Sequence, residues 1–286
     1  MKILVSGATG LVGSEITSFL KNLKHEVSTL SRDDFSHEYT NLSNKINGFH
    51  AIIHLSGEPI LQRWTPAVRK RLVDSRVEST KLLAKAINEA NNPPSVLLVA
   101  SAVGIYSCNE INQEDQFQTA PDFLGHLVQQ WEEAASLASP KCRVVNMRFG
   151  VILSHRGGAL KQMMPIFKMG LGGKIGTGKQ PFPWIHISDV TRAIYFLINT
   201  PTIKGPVNFV APQVIDNLTL TKVLSSTLKK PALFMVPRFI IKLLYGEAAD
   251  TLLKGQIVKP KILLENGFSF NFSTIDKAIS DITKKA

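Results

Sequence analysis

Short apolar runs alternate with longer amphipathic segments over the first 210 residues. The runs lie at 3–5, 25–30, 51–55, 96–100 and 143–149. Continuous apolar runs are typical of strands that are buried on both faces of a parallel sheet. Between them, apolar residues recur at helical spacing over 11–23, 66–91 and 122–138. This alternation predicts an α/β fold with a doubly wound parallel sheet.

The pattern changes after residue 154. A methionine-rich segment predicts a helix, a glycine-rich stretch covers 170–178, and residues 182–189 predict a strand that leads into another helix. The remainder predicts several short helices. We therefore expect a nucleotide-binding domain over 1–210, with substrate-side insertions in 154–187, and a small, mostly helical lobe over 211–286. The polar segment 35–50 is predicted to be a loop with little internal packing.

Three glycines follow the first predicted strand and open the first predicted helix. Gly7 would make the tight turn, Gly10 would let a pyrophosphate approach the backbone, and Gly13 would let helix and strand pack closely. An ordinary strand-to-helix turn is the alternative interpretation. The second strand at βαβ spacing favours dinucleotide binding, with contacts expected from Gly7, Thr9, Gly10, Leu11, Val12 and Gly13.

The end of the second strand bears on the choice of cofactor. In a Rossmann dinucleotide fold, a carboxylate here binds the ribose 2′-hydroxyl of NAD, whereas an arginine accommodates the 2′-phosphate of NADP. Ser31 and Arg32 come first, which favours NADP(H). The alternative is that Asp33 or Asp34 binds the ribose of NAD and Arg32 faces solvent.

The third strand and the following helix supply further candidate contacts. Leu55, Ser56 and Gly57 would meet the cofactor if their strand lies beside the first. Arg76 falls mid-helix among residues that should face the sheet, and a buried arginine needs an anion or acceptors. A structural partner and a cofactor phosphate both satisfy that need. His54, alone in an apolar strand, is interpreted as a core residue rather than a catalytic one.

Composition excludes several classes of protein. With 44% hydrophobic and 19% charged residues, the 286-residue chain is ordinary for a globular protein. Cys108 and Cys142 provide neither a disulfide framework nor a metal-ligand cluster. The net charge of +11 is scattered along the chain, which favours a solvated basic surface over nucleic-acid binding. No leader and no long apolar run is present, so we expect a cytoplasmic protein that does not bind membranes.

Taken together, the motifs resemble the short-chain dehydrogenase/reductase superfamily, in its extended and atypical epimerase-like branch. The superfamily marks are Gly7-x-x-Gly10-x-x-Gly13, the strand end at 101–106, Met147-Arg148-Phe149-Gly150-Val151-Ile152-Leu153 and Trp184-Ile185-His186-Ile187-Ser188-Asp189. A narrower similarity is to the sugar-nucleotide epimerase-like, or cell-division-inhibitor-like, subfamily, which carries a short C-terminal domain. It rests on His54-Leu55-Ser56-Gly57-Glu58-Pro59-Ile60, Arg63-Trp64, Ser75-Arg76, Trp131-Glu132, the glycine-rich 170–178 and Gly246-Glu247.

This resemblance implies a Rossmann fold, an NADP(H) cofactor and an oxidoreductase or epimerase acting on a small polar substrate. It also implies that Ser31 and Arg32 contact the NADP phosphate, that Leu55 and Ser56 lie on its adenine and ribose side, and that Arg76 contacts a further cofactor group.

The catalytic residues of the family are not all present. Extended members use a Tyr-x-x-x-Lys helix, but counting back from Trp131-Glu132 puts Leu124 and Val128 at those positions. Neither can transfer a proton, so Leu124 is assigned to cofactor contact. The usual serine position falls on Ala102, and Ser101 is expected to face the other side of the strand. Candidate replacements are Tyr106, His126, His186 and Glu133, and the predicted catalytic set is Ser101, Tyr106 and His186.

Two functional hypotheses follow. The first is an NADP(H)-dependent oxidoreductase or epimerase with a degenerate site and an unidentified substrate. The second is a non-catalytic NADP(H) sensor that regulates a protein partner, with an exposed apolar patch at 234–245. Homodimer formation is also left open, because the helices that pair subunits in many relatives would pack equally well in a monomer.

Overall fold

The computed structural model describes residues 1–35, 39–108 and 110–285 and contains one large sheet and three two-stranded ones. The six strands of the large sheet are all parallel, in the order β10-β6-β4-β3-β1-β2. The strands are β1 (Lys2–Ser6), β2 (Glu26–Leu30), β3 (Ala51–His54), β4 (Val96–Ala102), β5 (Ile111–Asn112), β6 (Arg143–Phe149), β7 (Val151–Leu153), β8 (Gly173–Ile175), β9 (Trp184–His186), β10 (Gly205–Phe209), β11 (Phe234–Val236) and β12 (Ile257–Val258).

Helices connect the strands and form most of the C-terminal region. They are α1 (Leu11–Asn22), α2 (Tyr39–Ile46), α3 (Pro66–Val73), α4 (Ser79–Glu89), α5 (Phe123–Ser136), α6 (Gly158–Lys168), α7 (Ile187–Asn199), α8 (Asn217–Leu228), α9 (Arg238–Tyr245), α10 (Asp250–Leu253), α11 (Lys261–Glu265) and α12 (Ile275–Lys285). None of those within the described ranges combines the length and the apolar character needed to cross a bilayer.

The sheet is covered on both faces, which confirms the doubly wound prediction. Alternate side chains of β1 point to opposite faces: Leu4 packs in a core with α2, α3, α4 and α5, whereas Ile3 and Val5 pack in a second core with α1 and α7. All three are at most 1% exposed. Burial on both faces explains why this strand reads as an uninterrupted apolar run.

The predicted loop at 35–50 is wrong over part of its length. A helix, α2, occupies Tyr39–Ile46, and Leu42 and Ile46, one turn apart, are buried in the core that it shares with α4. Threonine, asparagine and serine, which have weak helix propensity, surround those two apolar residues and hide the pattern. The stretch at 36–38 lies outside the described residues.

The chain after residue 211 shares its packing with the earlier chain. Helices α8 and α12 enclose a core together with Leu160 of α6 and Trp184 of β9. Strand β12 pairs with β5, β11 pairs with β8, and Leu263 of α11 joins the core beneath the large sheet. The C-terminal region is therefore helical, as expected, and is held against the sheet domain at several points. The domain boundary at 210/211 stays a prediction.

Candidate active site at the sheet switch point

The turn between β1 and α1 requires its glycines. Gly7 has φ +70°, and a Cβ there would lie 2.8 Å from the Leu55 backbone. A Cβ on Gly13 would lie 2.1 Å from the Gly7 carbonyl oxygen. Gly10, the N-cap of α1, has no side chain to occupy the free N–H groups of the first turn. This end of α1 can therefore receive an anion.

This turn lies where the chain reverses its direction of winding. From β1 the chain crosses to β2 on one side, and then to β3 on the other. The crevice at the carboxyl ends of β1 and β3 is the position where doubly wound sheets bind ligands. Two adjoining cavities of about 300 and 1110 Å³ open here. Both are lined by Gly7, Gly10, Leu55, Ser56 and Gly57.

The larger cavity contains the candidate phosphate-binding residues. Thr9, Ser31 and Arg32 line it, and the Arg32 side chain is 92% exposed, 3.9 Å from a Glu58 carboxylate oxygen. Arg71, Lys81 and Lys85 also lie along its wall.

The carboxylates that would favour NAD are directed elsewhere. Neither Asp33 nor Asp34 lines the larger cavity. Asp34 accepts hydrogen bonds from the Ser31 backbone N–H at 2.6 Å and from Lys45 Nζ at 2.6 Å. Burial alone would raise the pKa of Asp34, but these hydrogen bonds outweigh it and hold the pKa below its usual value. Arg32 therefore lies in the larger cavity while Asp33 and Asp34 do not, although the carboxylates of Glu58, Asp74 and Glu78 line the same cavity.

Arg76 lies in a single π-helical turn, residues Asp74–Glu78, that joins α3 and α4 into one continuous helix. Such turns are frequent at functional sites because they redirect side chains. The guanidinium donates to the Glu58 carbonyl oxygen at 2.6 Å, lies over the Trp131 ring and lines the smaller cavity. Burial lowers the pKa of Arg76 to about 10, although the Glu58 carboxylate acts against it. Within the described chain it forms no ion pair, so it remains free to bind an anion in the cavity.

The smaller cavity has a largely apolar wall. Leu11, Val12, Leu124 and Val128 all line it, and the last two are the residues that the sequence resemblance aligns with the family's tyrosine and lysine. Ser101 and its neighbours Ala100 and Ala102 line it as well.

The Ser101 hydroxyl belongs to a buried polar network. It donates to Glu132 at 2.6 Å, and Arg148 binds the same carboxylate through two hydrogen bonds of 2.8 and 2.7 Å. The serine proton is therefore committed to the Glu132 carboxylate, and the lone pairs of the hydroxyl oxygen are its remaining hydrogen-bonding capacity.

Sequence reasoning assigned no role to Glu132. The signal was available: Leu124, Val128 and Glu132 follow one another at intervals of four on α5, and hence share a face of that helix. The side chain that contacts Ser101 thus lies one turn beyond the missing lysine.

Tyr106 does not fit the catalytic role predicted for it. It is 0% exposed and lines neither cavity. Its hydroxyl donates to Asn208 at 2.6 Å and accepts from Arg148 at 2.8 Å. Burial raises the pKa of Tyr106 to about 12, against the effect of Arg148. The residue extends the buried network and has no route for a proton to the cavity.

The remaining candidate replacements also lie away from the cavities. His186 is buried, caps α7 by accepting from the Ser188 N–H at 3.1 Å, and stacks on Phe272. Burial lowers the pKa of His186, although Asp281 lies near its other nitrogen. His126 and Glu133 are on the exposed face of α5. Ser101 is therefore the one predicted catalytic residue that the structure brings to the smaller cavity.

His54 is a core residue, and its burial makes stability depend on pH. Burial lowers the pKa of His54 to about 4, and Ser6 Oγ lies 2.6 Å from its Nδ1. Below about pH 6.5 the unfolded chain protonates this ring and the folded chain does not, so acid favours unfolding. We expect wild type to lose about 1–2 kcal/mol more than His54→Gln between about pH 7 and pH 5 in urea unfolding. Equal losses in the two proteins would contradict this assignment.

Comparison with known proteins places this geometry in a family. Residues 3–210 match the model of the NAD dependent epimerase/dehydratase family, and residues 236–282 match a domain of unknown function, DUF1731. The mouse (Mus musculus) epimerase family protein SDR39U1 is 35% identical, covering 99% of both chains. The Staphylococcus haemolyticus epimerase family protein SH2119 is 36% identical, covering 98% of both.

A solved structure agrees over the full length. The crystal structure of human epimerase family protein SDR39U1 (isoform 2) with NADPH superimposes with a TM-score of 0.93, at 33% identity and with all of both chains covered. A switch-point crevice behind a glycine turn, a family match over residues 3–210 and full-length matches to a curated relative and a solved structure all agree. The chain therefore belongs to the NAD-dependent epimerase/dehydratase family of the short-chain dehydrogenase/reductase superfamily.

Proposed function

We propose that this protein binds NADP(H) across the two joined cavities and uses it in an oxidoreduction or epimerisation of a small polar substrate. The observation that carries the proposal is the glycine turn at the head of α1, where Cβ atoms would collide with backbone and the free N–H groups face the crevice. The family relationship supports the cofactor class, and the human relative was crystallised with NADPH.

The residues around the crevice suit the parts of such a cofactor. The turn from Gly7 to Gly13 would bind the pyrophosphate, and Ser31 and Arg32 would bind the 2′-phosphate. The strand end at 55–57 would flank the sugars, and Arg76 would neutralise charge where the cavities join. Leu124 would offer an apolar surface to the ring at the other end. When bound, NADP(H) supplies or accepts a hydride at its nicotinamide ring.

The chain's own side chains limit the chemistry at that ring. The apolar wall of the smaller cavity would limit the water around a bound nicotinamide ring, which protects a hydride from side reactions. Leu124 and Val128 move no proton, and a positioned acid or base typically contributes roughly 10² to 10⁴ in rate. Ser101, its proton held by Glu132, can accept a hydrogen bond from a substrate hydroxyl. We expect turnover that is slow compared with members that retain tyrosine and lysine.

Hydride tracing tests the proposal. The protein is incubated with NADPH deuterated at nicotinamide C4 and a small-molecule extract of its source cells, and metabolites are screened for deuterium by mass spectrometry. A labelled metabolite would establish hydride transfer and name the substrate. An extract without label, from protein that binds NADPH in the same buffer, would count against net reduction. The missing acid–base pair would then favour the second candidate, a regulatory protein that senses NADP(H) without turnover.

Arg32→Ala should weaken binding of NADPH much more than binding of NADH. Only the 2′-phosphate loses its partner, and one charge-assisted contact of about 1.5–3 kcal/mol corresponds to roughly a 10- to 100-fold loss. Calorimetric titration of both cofactors measures the ratio. Lys161→Ala, at an exposed lysine that lines neither cavity, is the control. Equal losses for NADPH and NADH would refute the assignment of Arg32.

A further inference from the structure

An exposed apolar surface covers β11 and α9. We call it the 233–244 surface and define it by seven side chains, with their exposed fractions: Leu233 (89%), Phe234 (55%), Met235 (55%), Phe239 (68%), Ile240 (37%), Leu243 (69%) and Leu244 (60%). Monomeric proteins rarely expose so many large apolar side chains in one contiguous stretch, and such patches mark interaction surfaces.

Helix α9 is anchored by its opposite side. Ile241 is buried in a small core with Ala249 and Leu253, and Tyr245 packs against that core. At 100° per residue the four exposed apolar residues of α9 form one broad stripe that faces away from this anchor. None of the seven lines either cavity. The exposure is therefore a property of the folded helix and does not belong to the cofactor site.

Basic residues flank the 233–244 segment along the chain, and acidic ones are missing from that stretch. No aspartate or glutamate occurs between Asp216 and Glu247, whereas this interval contains Lys222, Lys229, Lys230, Arg238 and Lys242. All five are exposed, and within the described chain none is paired with a carboxylate. The nearest acidic residue along the chain, Glu247, is bound to Arg69. The apolar segment is thus flanked by five exposed cations, of which Arg238 and Lys242 lie on α9 itself, and we call these five the basic rim.

Exposed apolar side chains together with positive charge indicate what kind of partner the 233–244 surface binds. A second copy of the chain would bring two positive rims together, which disfavours a symmetric dimer. Side chains exposed by 60% or more, such as Leu233, Phe239 and Leu243, protrude from the surface instead of lining a groove for a partner helix. Protruding apolar residues beside lysine and arginine are what an interfacial helix presents to an anionic bilayer.

We propose that the 233–244 surface docks this protein on anionic lipid bilayers, with its apolar side chains in the acyl boundary and its basic rim against lipid phosphates. This departs from the sequence expectation of no membrane binding, which considered only leaders and long apolar runs. Docking of this kind needs neither.

The test is vesicle flotation of the full chain. Neutral vesicles of phosphatidylcholine are compared with anionic vesicles that contain equimolar phosphatidylglycerol and phosphatidylcholine, both in low salt. The protein should float with the anionic vesicles only. The double variant Phe239→Ser/Leu243→Ser should lose at least roughly tenfold in partition coefficient, since two apolar side chains no longer insert. Arg238→Gln/Lys242→Gln should lose roughly 25-fold, about fivefold for each charge removed.

Matched controls separate this surface from general basicity and exposure. Leu137→Ser/Leu264→Ser removes two leucines that are 53% and 48% exposed elsewhere. Lys21→Gln/Lys204→Gln removes two exposed lysines elsewhere. Both controls should float like wild type, and circular dichroism verifies that every variant is folded. Wild-type protein that stays at the bottom of the gradient with both kinds of vesicle would overturn the proposal. Equal flotation of patch and control variants would overturn it as well.

Discussion

Glu132→Leu should lower the free energy of unfolding by about 3–5 kcal/mol, because it leaves the Arg148 guanidinium buried without its counter-charge. The Arg148 side chain is 3% exposed, and two of its hydrogen bonds end on Glu132. Its remaining partner, the Tyr106 hydroxyl, is neutral. Chemical unfolding of both proteins measures the difference.

A second substitution separates loss of the pair from loss of packing. Glu132→Leu/Arg148→Met removes both charges, and replacing a whole buried ion pair by apolar residues is often neutral. We expect the double variant to recover most of the lost stability. Glu133→Leu, at the exposed neighbour, should change stability by no more than about 0.5 kcal/mol. A double variant as unstable as Glu132→Leu alone would show that Arg148 does not depend on this carboxylate.

Gly13→Ala should impair both folding and NADPH binding. The new methyl group would lie 2.1 Å from the Gly7 carbonyl oxygen and 2.7 Å from Ala8 Cα, which are backbone atoms of the turn itself. Relief requires α1 to move away from β1, at a cost of about 1–3 kcal/mol in stability. Distortion of the same turn should weaken NADPH binding by roughly 10- to 100-fold. Thermal unfolding and NADPH titration provide the two readouts.

Gly10→Ala distinguishes the two effects. A Cβ there meets only the Gly7 carbonyl oxygen at 3.3 Å, and Gly10 has an ordinary φ of −72°. This variant should keep nearly wild-type stability and still bind NADPH poorly, because the methyl group occupies the approach of the pyrophosphate. If Gly10→Ala bound NADPH with full affinity, the cofactor would not bind at this turn.

The local sequence pattern predicted the strands and the glycine turn that surround the site. The runs at 3–5, 51–55 and 96–100 became adjacent strands, and the glycine spacing located the turn at the switch point. These features depend on neighbouring residues along the chain, where hydrophobic period and glycine conformation decide.

Features that depend on distant contacts could not be predicted in the same way. Ser101, Glu132 and Arg148 come from β4, α5 and β6, and Tyr106 from the loop after β4, so their network exists only once the sheet is assembled. Tyr106 was a catalytic candidate because it follows the end of a strand and its hydroxyl can transfer a proton. Only the fold shows that Arg148 and Asn208 occupy its hydroxyl.

The roles of the α9 face and of Arg76 could not be decided from the sequence, because the pattern does not show which groups these residues contact. The exposed apolar patch that the sensor hypothesis expects at 234–245 is present, with Phe234, Phe239 and Leu243 each more than half exposed, but amphipathic spacing does not say what binds it. Arg76 was left open between a structural and a cofactor role, and its π turn carries no sequence signal that we recognise. Its carbonyl partner and its position at the cavity are compatible with both roles at once.

The crystal structure of this protein with NADPH tests the central claim most directly. We predict the pyrophosphate at the head of α1, the nicotinamide in the smaller cavity beside Ser101 and Leu124, and the 2′-phosphate in contact with Arg32. A cofactor bound in the reverse direction, or bound outside the two joined cavities, would contradict the account.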